Sequence, residues 1–196
     1  MSLSPVQSKQ NRMDFLDILT NTTEIPKDNP KFMNYLEISD FYQAPASTKY
    51  HDSHEGGLLV HSLKTYENLL QLNYQKMLGF SDRSVAITAL FHDICKVDFY
   101  RKTLRNQRME DGTWKRVQTY MVEDQLPVGH GEKSAIILLN YQIKLTEEEL
   151  LAIRWHMGGW DASAQNFAGG QALSNAYGKY KLPAALHLAD MMATWL

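Results

Sequence analysis

Six side chains of this sequence are potential metal ligands placed where a polar group needs a partner: His61, His92, Asp93, His130, His156 and Asp190. His92-Asp93 closes the most apolar run of the chain, Val85 to Phe91. Polar groups at the end of a buried helix cost desolvation energy unless something pairs them, and a metal ion is an effective partner. His61 lies one turn into an amphipathic segment, His130 opens another, His156 closes a third, and Asp190 stands in an apolar terminal segment. Ligands drawn from helix ends and inner faces can converge in a bundle core. The dipeptide alone says little, because His51-Asp52 repeats it in a polar loop. Four His and two Asp suit a borderline transition metal (Mn, Fe, Co, Ni or Zn) and are too rich in nitrogen for a dedicated Mg or Ca site. Six donors exceed one tetrahedral shell, so one or two divalent ions are expected, with Asp93 shared if there are two. No organic cofactor is expected.

The elements that must position these residues are mostly helical. Leu59, Leu63, Tyr66 and Leu70 recur at helical spacing. Ser81-Asp82 caps a helix expected from Arg83 to about Lys96, buried centrally because Val85–Phe91 is apolar all round. Glu110-Asp111-Gly112 separates two runs rich in Tyr, Thr and Val, which predicts a β-hairpin around 98–123. Gly129-His130-Gly131 opens the next helix. Thr146 and Glu149 form a capping box for a helix ending at Trp155-His156-Met157. Residues 158–171 are rich in Gly, Ala and Ser and read as a long loop, a candidate lid. Pro183 suits the first turn of the last helix, which runs to Leu196. Upstream, residues 1–12 read as frayed, and Met13 to Tyr42 as two short helices split by Pro26–Pro30. The fold class is therefore all-α, a mainly helical bundle with one hairpin insertion. Residues 1–50 form an N-terminal extension and helical cap on a domain at 51–196, one globular unit overall.

Composition narrows the function classes. The 196 residues carry a net charge of -2, which excludes a generally basic nucleic-acid binder. The single cysteine, Cys95, permits no internal disulfide and no Cys-based zinc site. It reads as a small packed hydrophobe. No apolar run reaches the ~18–20 residues of a membrane span, and no signal peptide is visible, so the expected compartment is the cytoplasm.

The runs His54-Glu55-Gly56-Gly57-Leu58-Leu59-Val60-His61-Ser62, Phe91-His92-Asp93-Ile94-Cys95-Lys96 and Gly129-His130-Gly131-Glu132-Lys133-Ser134 resemble the HD-domain metal-dependent phosphohydrolases. Arg154-Trp155-His156-Met157-Gly158 and Leu186-His187-Leu188-Ala189-Asp190 extend the resemblance over residues ~50–196. It implies a helical core holding one or two divalent metals that hydrolyse phosphate esters. By the family pattern, His61, His92, Asp93 and Asp190 bind the first metal. His130 and His156 complete a second site, with Asp93 shared. Lys96 would stabilise charge developing on the phosphate, which makes Asp93 and Lys96 the catalytic candidates. Lys96 departs from the nucleoside monophosphatase branch, which has an acidic residue there. The Asp-Ile-Cys-Lys run looks more like the phosphodiesterase branches, including the HD half of a bacterial exoribonuclease family.

The expected partner is a phosphorylated small molecule, a nucleotide or short oligonucleotide, with no membrane. Between Lys96 and Arg116, seven basic residues stand against three acidic ones, a local net of +4 that would attract such an anion or simply be solvated. Arg101 in that segment, Trp160 after a metal ligand, Lys96, and His54 seven residues before His61 are the substrate-binding candidates. His187 reads equally as a hydrogen-bond partner of Asp190 or as a satisfied core histidine, and His51 reads as incidental. The same ligands would also serve an HD-type di-iron oxygenase acting on a small substrate. A non-catalytic HD-like signalling or scaffold module is the third reading.

Overall fold

The computed structural model describes residues 3–196. Nine α-helices and one two-stranded antiparallel sheet are found among them. This is the mainly helical architecture with a hairpin that the sequence predicts. No helix among the described residues is long and apolar enough to cross a membrane.

The N-terminal region is more ordered than its polarity implies. Helix α1 spans Pro5–Thr22, so residues 5–12 are helical rather than frayed. Ser4 and Gln7 form a reciprocal capping box, and Pro5 occupies the first turn, where a missing N–H costs nothing. Only Phe15 and Leu19 of this helix are buried, so its apolar period is too sparse to stand out. The segment expected to break at Pro26–Pro30 holds a one-turn helix α2 (Ile25–Asp28), followed by α3 (Pro30–Ile38).

Helices α4 (Gly57–Gln75) and α5 (Asp82–Phe91) form the centre of the bundle. The buried face of α4 runs through Leu58, His61, Ser62, Thr65 and Leu69, while Leu70 is exposed. Every residue from Val85 to Phe91 is buried. Helix α5 stops at Phe91 instead of continuing to Lys96, and a 3-10 turn covers Ile94–Lys96. The break has a geometric consequence. Successive residues of a continuous helix point about 100° apart, so unwinding at Asp93 lets both His92 and Asp93 face one centre.

Phe91 anchors that break. Its ring lies 5.8 Å from Phe15, 5.2 Å from Phe32 and 6.3 Å from Phe41. Each such aromatic pair is worth ~0.5–1.5 kcal/mol beyond area burial. The helices of residues 1–50 thus share one apolar core with α4 and α5 and hold the His92-Asp93 turn from behind.

The hairpin consists of β1 (Tyr100–Arg108) and β2 (Trp114–Val122), paired in register from Tyr100–Val122 to Arg108–Trp114. Helix α6 spans His130–Asn140, and α7 spans Glu147–Trp155 with the expected Thr146–Glu149 capping box. The expected loop at 158–171 is instead two 3-10 turns, Gly158–Trp160 and Ala162–Gln165, and the start of α8 (Phe167–Lys179). Asn166 caps α8 by accepting from the Gly169 amide. Ala176 is the one buried residue of that helix, so the sequence offers no apolar period to reveal it. Helix α9 (Lys181–Trp195) packs on α4 and α7 and carries Asp190.

Candidate metal centre

Five elements converge at the centre of the bundle. Helix α4 supplies His61, the turn after α5 supplies His92 and Asp93, and the first residue of α6 is His130. The end of α7 gives His156, and α9 gives Asp190. His61, His92 and His156 are fully buried, and Asp93 is 2% exposed.

Two groups form around Asp93. In the first, His61 Nε2 lies 3.0 Å from Asp190 Oδ1, 3.2 Å from His92 Nε2 and 3.6 Å from Asp93 Oδ2. In the second, His130 Nε2 lies 2.7 Å and His156 Nε2 3.6 Å from Asp93 Oδ1. One carboxylate therefore addresses each group with a different oxygen.

The tautomers are fixed from behind. His92 Nδ1 donates to the Ala89 carbonyl at 2.8 Å, and His156 Nδ1 to the Ile153 carbonyl at 2.7 Å. Each bond leaves Nε2 as a bare lone pair aimed at the centre, the arrangement metal-bound imidazoles use. His156 Nε2 and His61 Nδ1 are buried with no hydrogen-bond partner. A buried unsatisfied polar atom costs ~1–3 kcal/mol. Converging imidazole nitrogens and carboxylates fit borderline divalent cations: the donor atoms of His61, His92 and Asp190, and those of His92, Asp93 and His156, lie within 4.8 Å of one another, as do those of Asp93 and His130 with Cys95.

The charges suit cation capture. Burial lowers the His92 pKa to about 3, so this ring stays neutral. Burial opposes ionisation of Asp93, but the Lys96 ammonium and the hydrogen bond from His130 outweigh it and hold the carboxyl well below the usual range. Asp190 is lowered too, with burial overcome by its bond to His61. His130 differs: burial opposes its charge, but Cys95 and Asp93 prevail and raise its pKa to about 10. A protonated imidazole cannot ligate, so metal entry near pH 7 must expel that proton. Uptake of a divalent ion by the metal-free protein is expected to release about one proton per chain from His130. Calorimetry in buffers of different ionisation enthalpy measures this, and the release should shrink as pH approaches 10. Zero release at pH 7 would contradict the assignment of His130 as a ligand.

A family model, the HD domain, matches residues 58–192. The chain belongs to the HD-domain family. Neither a curated protein nor a solved structure matches it significantly.

A cavity of about 880 Å³ opens onto the HD centre, with Asp93, Lys96, His130 and Asp190 on its wall. Lys96 is buried, and its Nζ lies 2.5 Å from Asp93 Oδ2. Trp160 lines the cavity and is otherwise exposed. Two substrate candidates lie elsewhere. His54 precedes α4, 3.5 Å from Asp52, and Arg101 lies on the exposed hairpin 3.6 Å from Glu123. Neither lines the cavity. His187 donates to the His156 carbonyl at 2.6 Å rather than to Asp190, and so steadies the end of α7.

Two residues were underrated by sequence. His51 packs its ring 4.7 Å from His61 and lines the cavity with both nitrogens unpartnered. Its loop folds over α4 because Gly57 has no side chain: a Cβ there would lie 1.8 Å from the Asp52 carbonyl oxygen. That glycine is the only trace of the arrangement in the sequence. Cys95 Sγ lies 3.4 Å from His130 Nδ1 and 3.5 Å from Nε2, so it is more than packing.

Proposed function

We propose that this HD domain hydrolyses a phosphoester, with one or two divalent transition-metal ions held by His61, His92, Asp93, His130, His156 and Asp190. The observation that carries the reading is the shared carboxylate. Asp93 faces both ligand groups, and Lys96 sits on it at the wall of an open cavity. Divalent ions in such a site supply Lewis-acid polarisation of the phosphoryl group and of the attacking water. The protein supplies the rest. Asp93 sets the spacing of the two positions. His92 and His156, clamped by backbone carbonyls, keep their donor atoms aimed inward. Lys96, held protonated by Asp93 against the effect of burial, contributes a fixed positive charge where negative charge develops on phosphate.

The walls indicate the substrate. Tyr50, Tyr100, Met157, Trp160, Met191 and Trp195 make the cavity mainly apolar, and among the described residues Lys96 is the only Lys or Arg lining it. A phosphate ester with a flat, apolar body, such as a nucleotide, matches these walls and one ammonium better than a polyphosphate. The basic face of the hairpin lies outside the cavity, so an oligonucleotide is the less supported form.

The test is a panel of phosphomonoesters and phosphodiesters with aromatic or nucleoside groups, assayed with Mn, Fe, Co, Ni and Zn. Release of phosphate or of a nucleoside product is expected with at least one metal. Lys96→Met is expected to lower kcat about 10²–10³-fold with metal content unchanged. Full activity in that variant would remove Lys96 from the mechanism. Bound iron with O₂ consumption and no phosphate release would favour the oxygenase reading instead.

A further inference from the structure

We propose that His51 is a substrate-binding residue of the centre: its ring N–H donates to an oxygen of the phosphoryl group held beside His61. The inference rests on the phosphoester reading above and adds to it a residue outside the ligand set.

His51 is the histidine that the fold leaves unsatisfied. Each of the other six has at least one ring nitrogen in a hydrogen bond. His61 and His92 meet each other, His130 meets Asp93, and His54, His156 and His187 each meet a backbone carbonyl. Both nitrogens of His51 are buried, and neither has a partner among the described residues. Buried donors and acceptors are rarely left unpaired, so a ring like this one calls for a partner from outside the fold. His61 does not serve. The two rings lie 4.7 Å apart, yet His61 Nδ1 is unpartnered too, so no bond joins them.

The surroundings of the ring point to the phosphoryl group. His51 lines the cavity together with Asp93, Lys96 and Asp190. Lys96 reaches Asp93 Oδ2, the oxygen 3.6 Å from His61 Nε2, and His51 adjoins His61 itself. Ammonium and imidazole thus flank the same cation position, that of His61, His92 and Asp190. A phosphoryl group has several acceptor oxygens, and among the described residues Lys96 is the only Lys or Arg on the cavity wall. His51 supplies a further donor, and an imidazole carries an N–H whether or not it is protonated.

The backbone holds the ring in place. Ser47 Oγ donates to the His51 carbonyl at 2.7 Å and accepts from the Tyr50 amide at 3.0 Å. The Ala46 amide donates to the Asp52 carbonyl at 3.1 Å, and Lys64 of α4 pairs with the Asp52 carboxylate at 3.0 Å. Asp52 has a φ of +42°, in the left-handed region that residues other than glycine rarely adopt. Such strain is commonly stored beside ligand-binding groups, where the surrounding bonds hold it.

The test uses the zinc-loaded full chain, freed of excess metal and isotopically labelled in its histidine rings, with inorganic phosphate as the probe. On titration with phosphate, one ring N–H resonance of His51 is expected to shift and to become protected from solvent exchange. His51→Phe keeps a ring against His61 but removes both nitrogens. It is expected to bind zinc as the wild type does and phosphate about 10–100-fold more weakly. His51→Gln, which restores a donor, should recover part of that loss. Undiminished phosphate binding by His51→Phe would overturn the proposal and leave the phosphoester reading standing. A loss confined to zinc affinity would also overturn it, and would make His51 a support of His61 instead. A zinc-treated wild-type chain that binds no phosphate would overturn both. The wild-type spectrum decides the question even if a variant folds poorly, because a His51 N–H indifferent to bound phosphate contradicts the hydrogen bond.

Discussion

Replacing Asp93 with alanine is expected to abolish hydrolysis, with a loss of at least ~10³-fold, and to empty both cation positions together. The double effect follows from the carboxylate, which faces the His61 group with one oxygen and the His130 group with the other. The variant also strips a buried ammonium of its counter-charge. Lys96 and Asp93 are both nearly buried, and removing one partner of such a pair costs ~3–5 kcal/mol. Alanine therefore confounds loss of function with loss of stability. Asp93→Asn keeps the shape and one of the two acceptor positions, but it too removes the counter-charge of Lys96, so its thermal stability is measured beside its metal binding. Its far-ultraviolet circular dichroism should stay near wild type while metal binding and turnover fall. By contrast, Asp190→Asn is expected to weaken the His61–His92 position and spare the His130–His156 one. Equal losses at both positions in that variant would contradict the grouping of ligands described here.

The second large effect falls on a residue with no side chain. A Cβ on Gly131 would stand 2.1 Å from the Arg154 carbonyl oxygen and 2.8 Å from that of Ile153. Helices α6 and α7 touch there backbone to backbone, one residue after His130 and two before His156. Neither obstacle is a flexible side-chain tip, so the helices must separate to admit a methyl group. Overpacking of this kind costs ~1–3 kcal/mol. For a chain of this size that corresponds to a Tm drop of about 2–12 °C. Gly131→Ala should also weaken metal binding at the His130–His156 position, because His130 moves away with its helix. Gly178→Ala is the matched control: nothing lies within 4 Å of its Cβ, and it sits inside α8. That variant should gain about 0.5–1 kcal/mol from helix propensity and bind metal normally. A Gly131→Ala protein as stable as wild type would contradict the close approach of α6 and α7.

The two effects mark what was legible in the sequence. The ordered His and Asp positions could be read because each polar ligand interrupts or terminates an apolar run. The hairpin turn at Asp111-Gly112 and the Thr146–Glu149 box were equally visible, since their chemistry is local. What stayed hidden depends on tertiary approach. Apolar residues resume at Ile94-Cys95 beyond the run Val85–Phe91, which conceals the break at His92-Asp93, where packing of Phe91 on Phe15, Phe32 and Phe41 overrides the helical pattern. Helix α8 is hidden by its exposure and its glycines. His51 reaches the centre only because a loop closes over Gly57. Cys95 reads as core from its neighbours, while its sulfur points at His130. The basic hairpin misled in the opposite sense: its charge is real, but Arg101 spends it on Glu123 and solvent, and the cavity is served by Lys96 alone.

The central claim is that these residues form a shared-carboxylate centre for divalent metal, and metal content per chain tests it most directly. Elemental analysis after equilibrium dialysis of the full chain against Mn, Fe, Co, Ni or Zn is expected to give close to two ions per chain for at least one metal. Asp93→Asn should then give none. A wild-type chain that retains no transition metal would contradict the account, whatever activity it displayed.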